Sequence, residues 1–219
     1  MGRLRVAHRL RAARADSHML KLGLTGGIAC GKSAVAGMLR ERGFAVLDAD
    51  ALAHRLMEPG QPAHDEVLQE FGAEIADASG RIDRAKLGAL VFGHRERLER
   101  LNAIVHPRVA EAMQRQFAEW ERGGQTVVFV EAALIIEAGF QRQLDGVVVA
   151  WCRPEQQMER LLARGLGEGE ARRRIVSQMP IEEKLRHATE TIDCSGTLEE
   201  TRRQVEALAA RLRPHESHS

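Results

Sequence analysis

The sequence predicts a three-layer α/β/α fold, in which helices cover both faces of a parallel sheet of about five strands. Apolar runs such as residues 127–130 and 147–150 are continuous, which is typical of strands buried on both faces. Helical patterns separate these runs, as the crossovers of a parallel sheet require. The predicted strands are residues 20–25, 44–48, 126–130, 146–151 and 191–193.

The loop after the first predicted strand matches the phosphate-binding pattern G-x-x-x-x-G-K-[ST] at residues 26–33. Its glycines let successive N–H groups point at phosphate oxygens, and the positive end of the following helix adds to that field. We expect Lys32 to reach the β- and γ-phosphates and the Ser33 hydroxyl to bind Mg²⁺. The motif therefore predicts a P-loop NTPase-type site for a nucleoside triphosphate with Mg²⁺. The nucleotide-binding residues expected here are Gly26, Gly27, Ile28, Ala29, Cys30, Gly31, Lys32 and Ser33.

The composition is that of an ordinary globular protein and favours no extended charged partner. The 219 residues include 32 basic and 31 acidic side chains, for a formal net charge of +1. We therefore expect neither nucleic acid nor a membrane as a partner. The 3 cysteines form no C-x-x-C pair, which indicates a reduced, cytoplasmic setting. Cys30 is interpreted as a small residue in a tight loop, and the alternative is a redox-sensitive thiol that blocks nucleotide binding.

One kinase-type domain is predicted over residues 19–212. Its core comprises residues 19–51, 123–152 and 176–212. Residues 1–18 are rich in arginine, and we interpret them as a disordered extension or a mis-called start, with a transit peptide as the alternative. Residues 213–219 are expected to be a frayed tail.

Two stretches depart from the strand–helix alternation. Residues 52–122 look almost wholly helical and are too long for a plain crossover, so we expect a substrate-binding insertion there. Pro107 predicts a break or a new first turn within its long helix. Residues 153–175 combine arginines with glycines, which favours a mobile lid over phosphates. The alternative for this stretch is a solvated pair of charged helices.

Phosphoryl transfer needs a held γ-phosphate, neutralised charge and an aligned acceptor oxygen. Lys32 and Arg164 are candidates for neutralising the charge. Asp50, after the second strand, is the candidate general base. Asp48 could cap a helix, bond to the loop or support Mg²⁺.

Other polar residues keep two interpretations each. Glu131 and Glu137 could support Mg²⁺ or bind nearby N–H groups. Arg84, His106 and Arg108 could contact substrate anions, or they could be structural or solvent-facing residues.

Beyond the loop, further motifs resemble the dephospho-CoA kinase family over about residues 20–210. They occur in the family's order and at its spacings. They include Asp48-Ala49-Asp50, Glu58-Pro59-Gly60, Ile82-Asp83-Arg84, His106-Pro107, Leu134-Ile135-Ile136-Glu137, Arg160 with Arg164, and Gln178.

The resemblance implies transfer of the ATP γ-phosphate to the ribose 3′-hydroxyl of dephospho-CoA, giving coenzyme A. It implies that Asp50 is the base, that the ATP loop extends to Ala34, and that the insertion binds dephospho-CoA. It also implies that Arg160 and Arg164 are lid residues, with Arg160 contacting ATP. We expect a monomer or small homo-oligomer. The family commonly has Gly-Ser where this chain has Ala29-Cys30, and a Cβ at residue 29 is unwelcome if that residue needs positive φ.

Three other functions are compatible with parts of the sequence. A P-loop fold also serves kinases of other small molecules, because fold does not fix substrate. A nucleotide-binding switch without transfer activity would use the same loop, although the position of Asp50 and the lid arginines argue against it. A nucleic-acid-binding module would rest only on the basic residues near the start and in the lid, against the balanced overall charge.

Overall fold

A computed structural model describes residues 19–91 and 93–213, and the expectations for residues 1–18 and 214–219 lie outside this range. The chain divides into two compact units. The first contains the described residues up to Leu47 and from Gly124 onward, and the second is Asp48–Gly123. The predicted α/β fold with a five-stranded parallel sheet is confirmed.

The strands and helices are numbered here in chain order. The strands are β1 (Leu20–Gly26), β2 (Ala45–Asp48), β3 (Val127–Glu131), β4 (Gly146–Trp151) and β5 (Glu190–Asp193). The helices are α1 (Lys32–Glu41), α2 (Ala49–Leu56), α3 (His64–Phe71), α4 (Arg84–Val91), α5 (Arg95–Arg122), α6 (Pro154–Ala163), α7 (Glu168–Val176), α8 (Ile181–Arg186) and α9 (Leu198–Leu212). Short 3₁₀ turns cover Ala73–Ile75 and Phe140–Gln143.

The sheet has the strand order β2-β3-β1-β4-β5, so β1 is central. Strand β1 runs parallel to β3 on one side and to β4 on the other. The register pairs Leu24 with Glu131 and Gly26 with Ala150. The end of β1, where the phosphate loop begins, therefore lies between the ends of β3 and β4. This is the edge at which ligands of parallel sheets bind.

Both faces of the sheet are buried, as the continuous apolar runs predict. In β4, Val148 and Ala150 pack into a cluster with residues of α1 and α9. Val147 and Val149 pack on the opposite side with Ile181 of α8. This alternation follows from the two-residue period of a strand, and it makes the three layers.

The second unit is built around the long helix α5, which contacts α2, α3 and α4. The break expected at Pro107 is wrong, because α5 continues through it from Arg95 to Arg122. Proline removes one hydrogen bond and crowds the preceding turn. Val105 on one side of Pro107 and Met113 and Phe117 on the other are buried, and this packing holds both halves in one helix. None of the described helices combines the length and apolar character needed to cross a membrane.

Candidate active site

The loop of residues 26–33 presents backbone donors at the start of α1. Gly31 is the N-cap of this helix, with φ of 92°, and no side chain caps it. The first N–H groups of a helix have no intrahelical acceptor and form the positive end of its dipole. Ser33 and Ala34 in this first turn are exposed. The start of α1 can therefore bind an anion.

Two glycines of the loop lie close to neighbouring atoms. A Cβ on Gly26 would overlap the carbonyl oxygen of Ala150 in β4. A Cβ on Gly27 would overlap the side-chain amide of Gln157 in α6. Neither position admits a larger residue unless its neighbours move.

Ala29 occupies a conformation that usually needs glycine. Its φ of 60° makes it the one non-glycine residue with positive φ in the described part of the chain. Its side chain is buried and packs with Leu161 of α6 and Ala171 of α7. Residue 29 therefore has the positive φ at which a Cβ is unfavourable, as considered from the sequence. The apolar contacts of the Ala29 methyl group offset part of this conformational cost.

Lys32 is held by a buried carboxylate. Its Nζ donates to Oε1 of Glu131 at 3.0 Å, and Nη2 of Arg40 donates to Oε2 at 3.3 Å. Glu131 ends β3 and is only 3% exposed. A carboxylate so buried is tolerated because two cations neutralise it. Glu131 thus fixes the ammonium group of Lys32 beside the loop.

Three side chains from beyond β4 bind the loop directly. Arg160 of α6 donates from Nη1 to the carbonyl of Ala29 at 3.2 Å and from Nη2 to the carbonyl of Cys194 at 2.7 Å. Gln157 donates from Nε2 to Sγ of Cys30 at 3.0 Å. Oε1 of Gln178, after α7, accepts from the N–H of Ile28 at 2.8 Å. These contacts couple the loop to the segment predicted as a lid. Arg164, at the C-cap of α6, is exposed.

A second network fixes the segment after β3. Lys184 of α8 is fully buried, and its Nζ is 2.8 Å from both the carbonyl oxygen of Ala133 and Oε1 of Glu137. The hydroxyl of Thr25 donates to the same carbonyl at 3.0 Å. Glu137 is therefore the counter-ion of a buried lysine. Among the described residues, no group of three His, Cys, Asp or Glu side chains could hold a metal ion.

In the second unit, the two acids of Asp48-Ala49-Asp50 have different environments. Oδ1 of Asp48 accepts from the N–H of Ala51 at 2.8 Å, so Asp48 is the N-cap of α2. Asp50 is exposed in the first turn of the same helix. One turn later, His54 has its pKa lowered by burial and then by the charge of Arg84. The effect of its charge places Arg84 near His54.

A cavity of about 590 Å³ lies within the second unit. Its lining combines cations and acids with apolar side chains. The lining residues are His54, Met57, Glu58, Asp77, Arg81, Ile82, Asp83, Arg84, Ala85, Leu87, Gly88, Val91 and Leu101. The buried Nδ1 atom of His54 has no hydrogen-bond partner among the described residues. This cavity can accept a ligand that has both an anionic and an apolar part.

The other two predicted substrate residues lie outside that lining. His106 is exposed on α5. Arg108 donates to Oε1 of Glu66 from Nη2 at 2.7 Å and from Nε at 3.2 Å, and its Nη1 is 3.6 Å from Glu111. The guanidinium charge of Arg108 is thus already balanced by acids of the same unit.

Sequence reasoning missed the roles of Arg40, Gln157 and Gln178. Nothing in the local sequence marks Arg40 or Gln157, since each reaches its partner only through the fold. Gln178 belongs to the motifs that carry the family resemblance, but its contact with the loop spans 150 residues of sequence separation. These three contacts depend on the strand order, which brings distant segments of the chain to the same edge of the sheet.

Comparison with known proteins supports the family assignment. The family model for dephospho-CoA kinase matches residues 20–200. A dephospho-CoA kinase of Symbiobacterium thermophilum is 46% identical over 187 residues, covering 85% of this chain and 78% of that protein. One from Corynebacterium glutamicum is 43% identical over 195 residues, covering 89% of this chain and 100% of that protein.

Solved structures agree with these relatives. The structure of TT1252 from Thermus thermophilus has a TM-score of 0.79 and 37% identity, covering 90% of this chain and 100% of that one. A dephospho-CoA kinase from Campylobacter jejuni has a TM-score of 0.66 and 26% identity, covering 88% of this chain and 96% of that one. The family resemblance inferred from the sequence is confirmed.

Proposed function

Because the chain belongs to the dephospho-CoA kinase family, we propose that it transfers the γ-phosphate of ATP to the ribose 3′-hydroxyl of dephospho-CoA. The products are coenzyme A and ADP. The family carries out this phosphorylation in the last step of coenzyme A synthesis. The family's nucleotide substrate is ATP, which agrees with the phosphate loop.

The observation that carries the proposal is the position of Lys32 at the first turn of α1. Glu131 holds its Nζ at 3.0 Å, so the ammonium group is oriented before nucleotide enters. A group positioned in advance needs no reorganisation as charge develops on the transferred phosphoryl group. We propose that Lys32 contacts the β- and γ-phosphates while the loop amides and residues 26–34 hold the triphosphate. Arg160 supports the loop through Ala29, and Arg164 reaches the phosphates when the lid closes.

The residues present fit the Mg²⁺ that accompanies ATP. Mg²⁺ in kinases takes one or two protein oxygens, with phosphates and water completing its shell. Ser33 is exposed in the first turn of α1 and offers one such oxygen. Bound there, Mg²⁺ would supply positive charge to the phosphate oxygens.

We assign the general base to Asp50. Asp48 is engaged at the N-cap of α2, whereas Asp50 is exposed one residue into that helix. A carboxylate can accept the proton of the ribose 3′-hydroxyl as the new P–O bond forms.

The cavity in the second unit is the proposed site for dephospho-CoA. This substrate has a diphosphate and a long, flexible arm of amide and methylene groups. Arg84 offers a cation to the diphosphate, and Leu87, Val91 and Leu101 offer apolar surface to the arm. His106 and Arg108 are proposed as secondary contacts, and Arg108 would have to leave Glu66 to bind a substrate anion.

An ADP-release assay tests the proposed function. We expect release with dephospho-CoA and none above background without it. Coenzyme A is the matched control, because its 3′-hydroxyl is already phosphorylated. Equal release with both compounds would contradict transfer to the 3′-hydroxyl. Release with shikimate or a nucleoside, and none with dephospho-CoA, would assign a different kinase activity.

Replacing Lys32 tests the role of the loop. Removing one such charge-stabilising group typically costs about 10²–10³-fold in kcat. We therefore expect the kcat of Lys32→Ala to be lower than that of wild type by about this factor. Arg40→Ala is the matched control, because it removes the other cation on Glu131 from a side chain that is 45% exposed. We expect Arg40→Ala to lose much less activity. Equal losses would mean that neutralising Glu131, rather than holding phosphate, is what matters.

A further inference from the structure

Two cysteines lie sulfur to sulfur at the phosphate loop. The Sγ atoms of Cys30 and Cys152 are 3.3 Å apart, and both side chains are fully buried. Cys30 belongs to the loop, and Cys152 directly follows the last residue of β4. Both are free thiols. We propose that Cys30 and Cys152 are a redox-sensitive pair, and that their disulfide disables nucleotide binding by the loop.

The surroundings of Cys30 favour its thiolate. The thiol of Cys152 and the side-chain N–H of Gln157 both donate to its sulfur, and Cys30 directly precedes the N-cap of α1. The hydrogen bond from Cys152, helped by Gln157, lowers the pKa of Cys30 to about 7. The same hydrogen bond raises the pKa of Cys152, which is the donor. The pair thus combines a nucleophilic thiolate with an adjacent thiol that can resolve its oxidised form.

Hydrogen peroxide is the class of oxidant that fits a buried pair, because it is little larger than water. The Cys30 thiolate attacks one peroxide oxygen, and the O–O bond breaks. Hydroxide is the leaving group, and Cys30 becomes a sulfenic acid. The sulfur of Cys152 then attacks the sulfur of Cys30, and the S–O bond breaks. The departing hydroxyl takes the proton of Cys152 and leaves as water. Two electrons pass from the two sulfurs to the peroxide.

We expect closing of the bond to displace the loop, because Cys30 belongs to it. A disulfide of about 2.0 Å requires the sulfurs to approach by about 1.3 Å from their present 3.3 Å. β4 lies between β1 and β5 and is fixed by both, so the movement falls mainly on Cys30. A loop N–H that moves by about 1 Å from the usual donor–acceptor distance of about 2.9 Å no longer makes its hydrogen bond to a phosphate oxygen. The displaced loop should therefore bind the triphosphate poorly.

Cys194 provides an internal control. It also lies against the loop, because a Cβ on Gly31 would be 3.1 Å from its sulfur. Burial raises the pKa of Cys194 to about 11, so it stays protonated. Cys194 is thus close to the loop but not reactive, so comparing it with Cys30 distinguishes the effect of position from that of thiolate reactivity.

The test is peroxide treatment followed by intact mass measurement and a non-reducing peptide map. We expect wild type to lose two hydrogens and to yield a peptide that joins Cys30 to Cys152. Titration with a fluorescent ATP analogue should show at least about tenfold weaker binding, because each lost hydrogen bond to a charged phosphate weakens binding by about that factor. Dithiothreitol should restore the affinity. Because both sulfurs are buried, the reaction waits for the loop to open, and ATP should slow it.

Three variants complete the test, each compared with its own untreated sample. Cys194→Ser should respond to peroxide as wild type does. Cys152→Ser and Cys30→Ser should form no cross-link. Cys30→Ser should show no dithiothreitol-reversible loss of ATP binding, whereas Cys152→Ser should stop at the sulfenic acid of Cys30, seen as a gain of one oxygen that dithiothreitol removes. Three outcomes would overturn the proposal. The wild-type pair could stay reduced under peroxide treatment that oxidises a reference thiol peptide. A cross-link could form to Cys194, or the Cys30–Cys152 cross-link could form without weakening ATP binding.

The consequence for catalysis rests on the proposed function, but the mass and binding readouts do not. Untreated enzyme that releases no ADP with dephospho-CoA would contradict the proposed function. The peptide map and the ATP titration would still decide the proposal about the cysteine pair.

Discussion

The phosphate loop and the second unit use their charged side chains differently. At the loop, Lys32 and Glu131 form a pair whose side chains are only 17% and 4% exposed. In the second unit, Arg100 and Glu70 pair with exposures of 66% and 34%. Buried charges must keep their partners, whereas exposed pairs contribute little. The Lys32–Glu131 pair is therefore held in place, whereas an exposed pair such as Arg100 and Glu70 can separate at little cost in stability.

The largest expected effect tests whether the second unit nevertheless contributes a reacting group. Asp50→Asn keeps the size of the side chain and removes its basicity. General-base help is typically worth about 10²–10⁴-fold, so kcat should fall by that order while ATP affinity stays near that of wild type. Steady-state kinetics with ATP and dephospho-CoA measure both.

Asp48→Asn is the matched control for Asp50→Asn. Asparagine caps a helix about as well as aspartate, so this variant should keep both the fold and most of the activity. If Asp48→Asn lost activity and Asp50→Asn kept it, the base would have to be reassigned to Asp48.

A stability measurement sharpens the contrast between buried and exposed charges. Lys184→Met keeps the volume of a fully buried side chain but leaves Glu137 and the carbonyl of Ala133 without their cation. Removing one partner of a buried pair costs about 3–5 kcal/mol. We expect the lower end of that range in the free energy of unfolding by urea, because Glu137 is 22% exposed.

Arg100→Met is the corresponding change in the second unit. It breaks an exposed pair and should alter the free energy of unfolding by no more than about 1 kcal/mol. A loss of stability in Arg100→Met as large as that in Lys184→Met would contradict the distinction between buried and exposed ion pairs.

His64 is an exception within the second unit, because it is a buried titratable side chain there. Its Nδ1 is 2.8 Å from Oδ1 of Asp65 and its Nε2 is 2.8 Å from the carbonyl oxygen of Gly80. Only the protonated ring donates from both nitrogens. The hydrogen bond to Asp65, and then that to Gly80, raise the pKa of His64 above its ordinary 6.5.

The sign of the pH effect follows from the raised pKa. The contribution of His64 to stability is fully present below pH 6.5, its unfolded value, and is lost as the pH rises through the folded value. Thermal unfolding of wild type across this window should show stability falling with pH, and His64→Gln should flatten that slope. An unchanged slope in His64→Gln would assign the dependence to other groups.

The sequence predicted the sheet and the loop well because both are local patterns. The run 147–150 is apolar at every position since both faces of β4 are buried, and eight residues suffice to mark the phosphate loop. It did not predict that Gln178 binds the loop, because that contact depends on how segments 150 residues apart meet. It wrongly expected a break at Pro107, because packing on both sides of a proline can outweigh its local cost.

The smallest expected effect concerns Ala29, where a local rule and local packing oppose each other. Its φ of 60° lies in the left-handed region, which costs a non-glycine residue about 1–2 kcal/mol. Glycine would remove that cost but lose the buried methyl group, worth about 0.8 kcal/mol, and gain freedom in the unfolded chain, worth about 0.4–1 kcal/mol. These terms nearly cancel, so Ala29→Gly should change the free energy of unfolding by less than about 1 kcal/mol.

Urea denaturation of Ala29→Gly checks this balance, and Ala171→Gly is the control. Ala171 packs in the same cluster but lies within α7, where glycine removes a buried methyl group and also weakens the helix by about 1 kcal/mol. We therefore expect Ala171→Gly to be clearly less stable than Ala29→Gly. Equal destabilisation by the two changes would mean that the positive φ of Ala29 carries no cost, and that the loop accepts a Cβ there without strain.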